Sequence, residues 1–84
     1  MNLVFSDHAW EDYRYWQKTD GSVLRRINLL IKESMRTPFK GSGKPEALKH
    51  VLSGYWSRRI TGEHRMAYRV TENALLIAQL RYNY

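Results

Sequence analysis

The amino-acid sequence predicts an α+β domain: an N-terminal strand, a two-helix hairpin, then a C-terminal antiparallel twisted sheet. Two patterns carry this expectation. Apolar residues recur at helical spacing through Ala9, Trp10, Tyr13 and Trp16, and again through Val23, Leu24, Ile27, Leu30 and Ile31. Beyond them, β-prone runs alternate with turn-sized gaps, and helices followed by a block of strands indicate helices laid on one face of an antiparallel sheet.

The elements follow in order. Asn2, Leu3, Val4 and Phe5 form a short apolar β-prone run, and Ser6 after it is a good helix N-cap with Asp7 in the first turn. The first helix stops at Asp20 and Gly21, and Ser22 is the expected cap of the second. That helix ends near Arg36 and Thr37, because Pro38 disfavours helical geometry in the residue before it. The stretch from Lys40 to Pro45 reads as a flexible basic loop, since two glycines and a proline deny it both regular periodicities. Runs at 48–52, 55–61, 64–70 and 74–82 then form the meander. Alternation sends His64, Met66, Tyr68 and Val70 to the core and Arg65, Ala67 and Arg69 to the other, working face. The adjacent Arg58 and Arg59 cannot share a face, so one of them is structural, its stem snorkelling along the sheet edge.

At 84 residues, 43% hydrophobic and 26% charged, the chain is expected to be one folded domain over 1–84. The absence of cysteine excludes a disulfide scaffold, thiolate zinc ligation and a cysteine nucleophile, and points to a reducing, cytoplasmic setting. No apolar run approaches the about 18 residues that cross a bilayer, so no membrane partner is expected. Charge is unevenly placed. Acids and bases balance through residue 35, and the whole net charge of +6 falls in the remainder. A basic half-chain interleaved with aromatics suits a polyanionic partner, nucleic acid above all.

Several chemistries drop out. Gly43 and Lys44 are followed by proline, so the loop is not a Walker motif; no Gly-x-Ser-x-Gly occurs; and His8, His50 and His64 lack metal-ligand spacing, leaving structural or surface roles for them. RNA cleavage stays open, because the 2′-hydroxyl is a built-in nucleophile. It needs a base, cations for the transition state and an acid for the leaving oxygen. Glu46, flanked by Lys44 and Lys49, is a candidate base and equally a solvated or capping residue. Arg59 and Arg65 on adjacent strands suit phosphate oxygens, or salt bridges. Tyr82 and Tyr84 can stack on a base.

The sequence also resembles a known family. Arg36-Thr37-Pro38-Phe39, Gly43-Lys44-Pro45-Glu46, Leu48-Lys49-His50, Trp56-Ser57-Arg58-Arg59-Ile60-Thr61, Glu63-His64-Arg65 and the terminal Arg81-Tyr82 and Tyr84 resemble the YoeB (Txe) toxins of the RelE/ParE superfamily. The resemblance implies a RelE-like, microbial-RNase-like fold and a ribosome-dependent endoribonuclease that cuts mRNA in the A site without metal or other cofactor. Implied partners are mRNA on the 70S ribosome, a YefM-type antitoxin and, through the antitoxin complex, operator DNA; the oligomeric state is left open and admits a homodimer. Position by position, Glu46 matches the general base, Arg65 the transition-state arginine, Lys49 and Arg59 the phosphate contacts, and Tyr84 the terminal tyrosine. Asn83 departs from the family, whose histidine there acts as general acid. A carboxamide has no proton to give near neutral pH, so the expectation divides between a slower enzyme and a catalytically weakened RNA- or ribosome-binding module that serves as antitoxin partner and corepressor. A gyrase-poisoning toxin of the ParE branch fits less well, since that branch lacks the Glu46 and terminal-tyrosine pattern.

Overall fold

The computed structural model describes residues 1–83, and Tyr84 lies outside the described residues. The elements are β1 (Asn2–Phe5), α1 (Asp7–Thr19), α2 (Gly21–Arg36), β2 (Glu46–Ala47), a 3₁₀ turn (His50–Leu52), β3 (Trp56–Arg59), β4 (Arg65–Val70) and β5 (Ala74–Gln79). The α+β order is the one the sequence predicts. β2 to β5 pair antiparallel, and β1 joins the far edge parallel to β5, giving the order β1-β5-β4-β3-β2. The sheet is therefore mixed, with a single parallel pair made by the N-terminal strand.

Ser6 starts α1 as expected, accepting from the Ala9 amide at 3.0 Å, and its hydroxyl donates to the Ala78 carbonyl at 2.9 Å. One side chain thus caps the helix and ties it to β5. The second cap differs from expectation. Asp20, not Ser22, closes both helices: its amide donates to the Trp16 carbonyl, and its carboxylate accepts from Ser22 and Val23. A carboxylate at a helix N-terminus satisfies orphan amides and opposes the macrodipole, so α2 begins at Gly21, two residues earlier than a Ser22 cap implies.

Ile27, Leu30 and Ile31 of α2 and Ala9 and Trp16 of α1 pack on Met66, Tyr68, Leu75 and Ile77 of the sheet, all buried. Strand parity is the predicted one, with Met66 and Tyr68 beneath the helices and Arg69 exposed on the other face. The runs expected at 55–61 and 64–70 form the shorter strands Trp56–Arg59 and Arg65–Val70, and the other two depart further. The 48–52 run is not a strand: β2 ends at Ala47, and the Leu52, Ser53 and Tyr55 amides bond to Lys49, His50 and Leu52 within the turn, where His50 has φ +60° and Gly54 φ +96°. β5 ends at Gln79 because α1 captures the next residue. The Leu80 amide donates to buried Asp12 at 3.0 Å, and the Leu80 carbonyl accepts from Trp16 Nε1 at 2.9 Å. Among the described residues no helix is long and apolar enough to cross a membrane.

Candidate ribonuclease site

Glu46, Ser57, Arg59 and Arg65 lie on the sheet face away from the helices. Register puts Glu46 opposite Ser57 and Arg59 opposite Arg65, and directly opposed residues project from the same face. Arg65 Nη1 stands 3.5 Å from Glu46 Oε1 and donates to Ser57 Oγ at 3.3 Å. The Glu46 side chain is 60% exposed and that of Arg65 22%. The carboxylate is thus open to a ligand, while the guanidinium is largely covered and held by Glu46 and Ser57. Arg59 is exposed, and its peptide carbonyl anchors Arg26 Nη2. Lys49 is exposed just ahead of the 3₁₀ turn. Asn83 is exposed at the end of the described chain, and the Tyr84 expectation falls outside the described residues.

What carries Glu46 into place is a buried arginine. Arg58 is 0% exposed, so it does not snorkel along an edge. Its guanidinium faces the helices and donates to the carbonyls of Thr37, Lys40 and Ser42 and to the Tyr68 hydroxyl, at 2.6 to 3.2 Å. Tyr68 in turn donates to the Pro38 carbonyl at 2.6 Å. A buried charge is tolerated only when its donors are filled, and here backbone carbonyls fill them. The segment expected to be a flexible loop is therefore bonded down. Glu33 completes the clamp, accepting from the Ser42 amide at 3.1 Å with Arg58 Nη1 3.9 Å away. Hydrogen bonds from the Ser42 side chain and amide, and then the Arg58 and Arg26 charges, hold its carboxyl below the ordinary value of 4.5. Burial pushes the Tyr68 phenol up from 10.0, against the opposing pull of Arg58, which keeps it a donor.

The loop's last fixing point is Gly43, whose carbonyl accepts from the Arg59 amide at 2.7 Å. Its φ is +80°, and a Cβ there would come within 3.0 Å of the Arg59 carbonyl oxygen. Both favour glycine alone. Gly43→Ala is expected to cost about 1–3 kcal/mol, read as a lower urea midpoint with unchanged slope; an unchanged midpoint would show that the loop carries no such constraint.

Glu46, Arg59 and Arg65, each a candidate from the sequence, come together on one face in the structure. The sequence reading missed Ser57, which strand parity places beside them and whose side chain is small enough to sit under the guanidinium. It also missed the link from His64 to the C-terminal segment. Among the described residues no group of three or more carboxylate, imidazole or thiol side chains is placed to hold a metal ion. An apolar groove of about 200 Å³ lined by Val4, Tyr55, Leu76 and Ala78 opens between β1, β5 and the start of β3, and contains none of the predicted site residues.

Comparison with known proteins finds relatives along the whole chain. The chain is 60% identical to toxin YoeB of Escherichia coli K12 over 84 residues, all of both chains. Its fold superposes on a YoeB/ParE toxin from Agrobacterium tumefaciens with a TM-score of 0.98 at 50% identity, covering all of both chains. It also superposes on the toxin of a heterotetrameric YoeB-YefM toxin-antitoxin complex from Staphylococcus aureus, with a TM-score of 0.92 at 46% identity over 100% of this chain and 98% of that one. Residues 5–84 match the YoeB-like toxin of bacterial type II toxin-antitoxin systems, and the chain belongs to that family.

Proposed function

We propose that this toxin is a ribosome-dependent mRNA endoribonuclease whose reaction is carried by Glu46 and Arg65. The observation behind the reading is their 3.5 Å approach on the exposed sheet face, with Arg59 directly opposite Arg65. Glu46 takes the proton of a 2′-hydroxyl, whose oxygen attacks the adjacent phosphorus. Arg65, Arg59 and Lys49 meet the charge that builds on the phosphoryl oxygens, and guanidinium forks suit that geometry. The P–O5′ bond breaks to give a 2′,3′-cyclic phosphate and a 5′-hydroxyl. The 2′-hydroxyl supplies the nucleophile and the guanidinium groups supply positive charge, so the mechanism calls on no metal. The ribosome presents the message in the A site, and a YefM-type antitoxin, as in the Staphylococcus aureus complex, is the cognate inhibitor, with operator DNA reached through it.

Asn83 favours a second reading, because it leaves the 5′ oxygen without a side-chain acid at position 83. Loss of a general acid costs roughly 10² to 10⁴ in rate. Tyr84, a ribosomal group or water then supplies the proton. Primer extension on a translated message with purified ribosomes tests both readings. Codon-positioned cuts that Asn83→His accelerates support the enzyme. Silence from the native chain, with cuts only after Asn83→His, supports a binding module acting as antitoxin partner and corepressor.

A further inference from the structure

Residues 80–83 follow β5 outside the strand, yet several of their backbone groups are bonded within the fold. Leu80 is held at both ends by Asp12 and Trp16, and the Arg81 carbonyl accepts from Gln79 Nε2 at 3.0 Å. Tyr82 is gripped from both sides: its amide donates to His64 Nδ1 at 2.7 Å, and its carbonyl accepts from the Arg65 amide at 3.1 Å. Tyr82 also has φ +59°, a left-handed conformation rare for a bulky residue. Such a conformation persists only where neighbouring bonds hold it.

We propose that His64 is a positioning residue for the C-terminal segment, fixing the direction in which residue 83 leaves Tyr82 beside Arg65. The proposal rests on the nuclease reading above. His64 is the immediate neighbour of Arg65 but projects from the opposite face of the sheet. Its ring meets Trp16 edge-on at 4.9 Å and Tyr82 at 5.4 Å, so packing sets its plane and the amide sets its tautomer. Since the Tyr82 amide can only donate, Nδ1 must be bare and the neutral ring carries its proton on Nε2. A proton on Nδ1 would face the amide and open the clamp. Around these rings, Tyr15 of α1 packs on Trp16, and the Arg81 guanidinium lies 3.6 Å from the Tyr15 ring and 4.8 Å from that of Tyr82.

The test pairs a structural readout with an activity readout in three proteins: native, His64→Phe and His64→Asn. Phenylalanine keeps the ring packing without the acceptor. Asparagine keeps an acceptor near the Nδ1 position. Amide hydrogen exchange of Tyr82, followed by NMR, is expected to show protection in the native protein, none in His64→Phe, and recovered protection in His64→Asn. Cutting on translating ribosomes at neutral pH should fall by about 10- to 100-fold in His64→Phe, the size expected from a misplacement near 1 Å, and recover in His64→Asn. Protection of Tyr82 in His64→Phe equal to native would overturn the clamp. Glu46-dependent cutting that ignores a released Tyr82 would overturn the positioning role alone. Cutting indifferent to Glu46→Gln would instead sink the nuclease reading, and the role for His64 with it.

Discussion

Glu46→Gln is expected to slow ribosome-dependent cleavage by roughly 10² to 10⁴, the usual range for a positioned general base. The amide matches the carboxylate in size and keeps an oxygen toward Arg65, so the geometry of the face survives while the proton acceptor is lost. Binding should not weaken, because the substitution removes a negative charge from a surface that approaches a polyanion. The loss therefore belongs in kcat and not in KM, and single-turnover primer extension at saturating toxin reads it directly. Arg65→Lys keeps the charge but not the two-pronged fork and is expected to lose about 10² to 10³. Combined, the two changes should cost less than the product of the separate losses, since the side chains act on one transition state. Native-like rates for Glu46→Gln would remove this carboxylate from the reaction and leave the face as a binding surface.

The face itself was legible because strand parity is local. A period of two fixes which side chains share a side within Trp56–Arg59 and within Arg65–Val70 and separates Arg58 from Arg59; the register of β3 against β4 then sets Arg59 beside Arg65. Helical period, Ser6 and Pro38 similarly mark the ends of α1 and α2 from within a few residues. Long-range partners leave no such mark. β1 pairs with β5 across most of the chain, from Asn2 to Ala74, and nothing in the four residues of β1 says whether the pairing is parallel. The His64 clamp depends on where β5 stops, which Asp12 and Trp16 decide from α1. Parity said that Arg58 or Arg59 was structural. The depth of Arg58 depends on three carbonyls that converge only when the loop after α2 folds back over β3.

That convergence makes Arg58 the residue whose loss should hurt the fold most. Arg58→Met preserves the length of the side chain and removes every donor. The carbonyls of Thr37, Lys40 and Ser42 each lose the guanidinium as donor, the Tyr68 hydroxyl loses one partner, and Glu33 loses its nearest cation. Breaking a buried charged cluster from one side typically costs about 3–5 kcal/mol, against a total of about 5–15 kcal/mol for a domain. Urea unfolding should show a loss of that order. Arg59→Met, one residue along on the exposed face, should stay within about 0.5 kcal/mol. Equal small losses in both would show that the buried network contributes little. Acid separates the Glu33 contribution from the rest. Its carboxyl is held below 4.5 in the fold, so the stability it adds is fully present above that value and drains away as pH falls from there toward the lowered folded value. Arg58→Met should flatten that acid-side slope without abolishing it, because the Ser42 bonds, the larger cause of the shift, do not come from Arg58. The same clamp delivers Glu46 to Arg65, so Arg58→Lys, charged but unable to reach all its acceptors, should cut more slowly even where it remains folded.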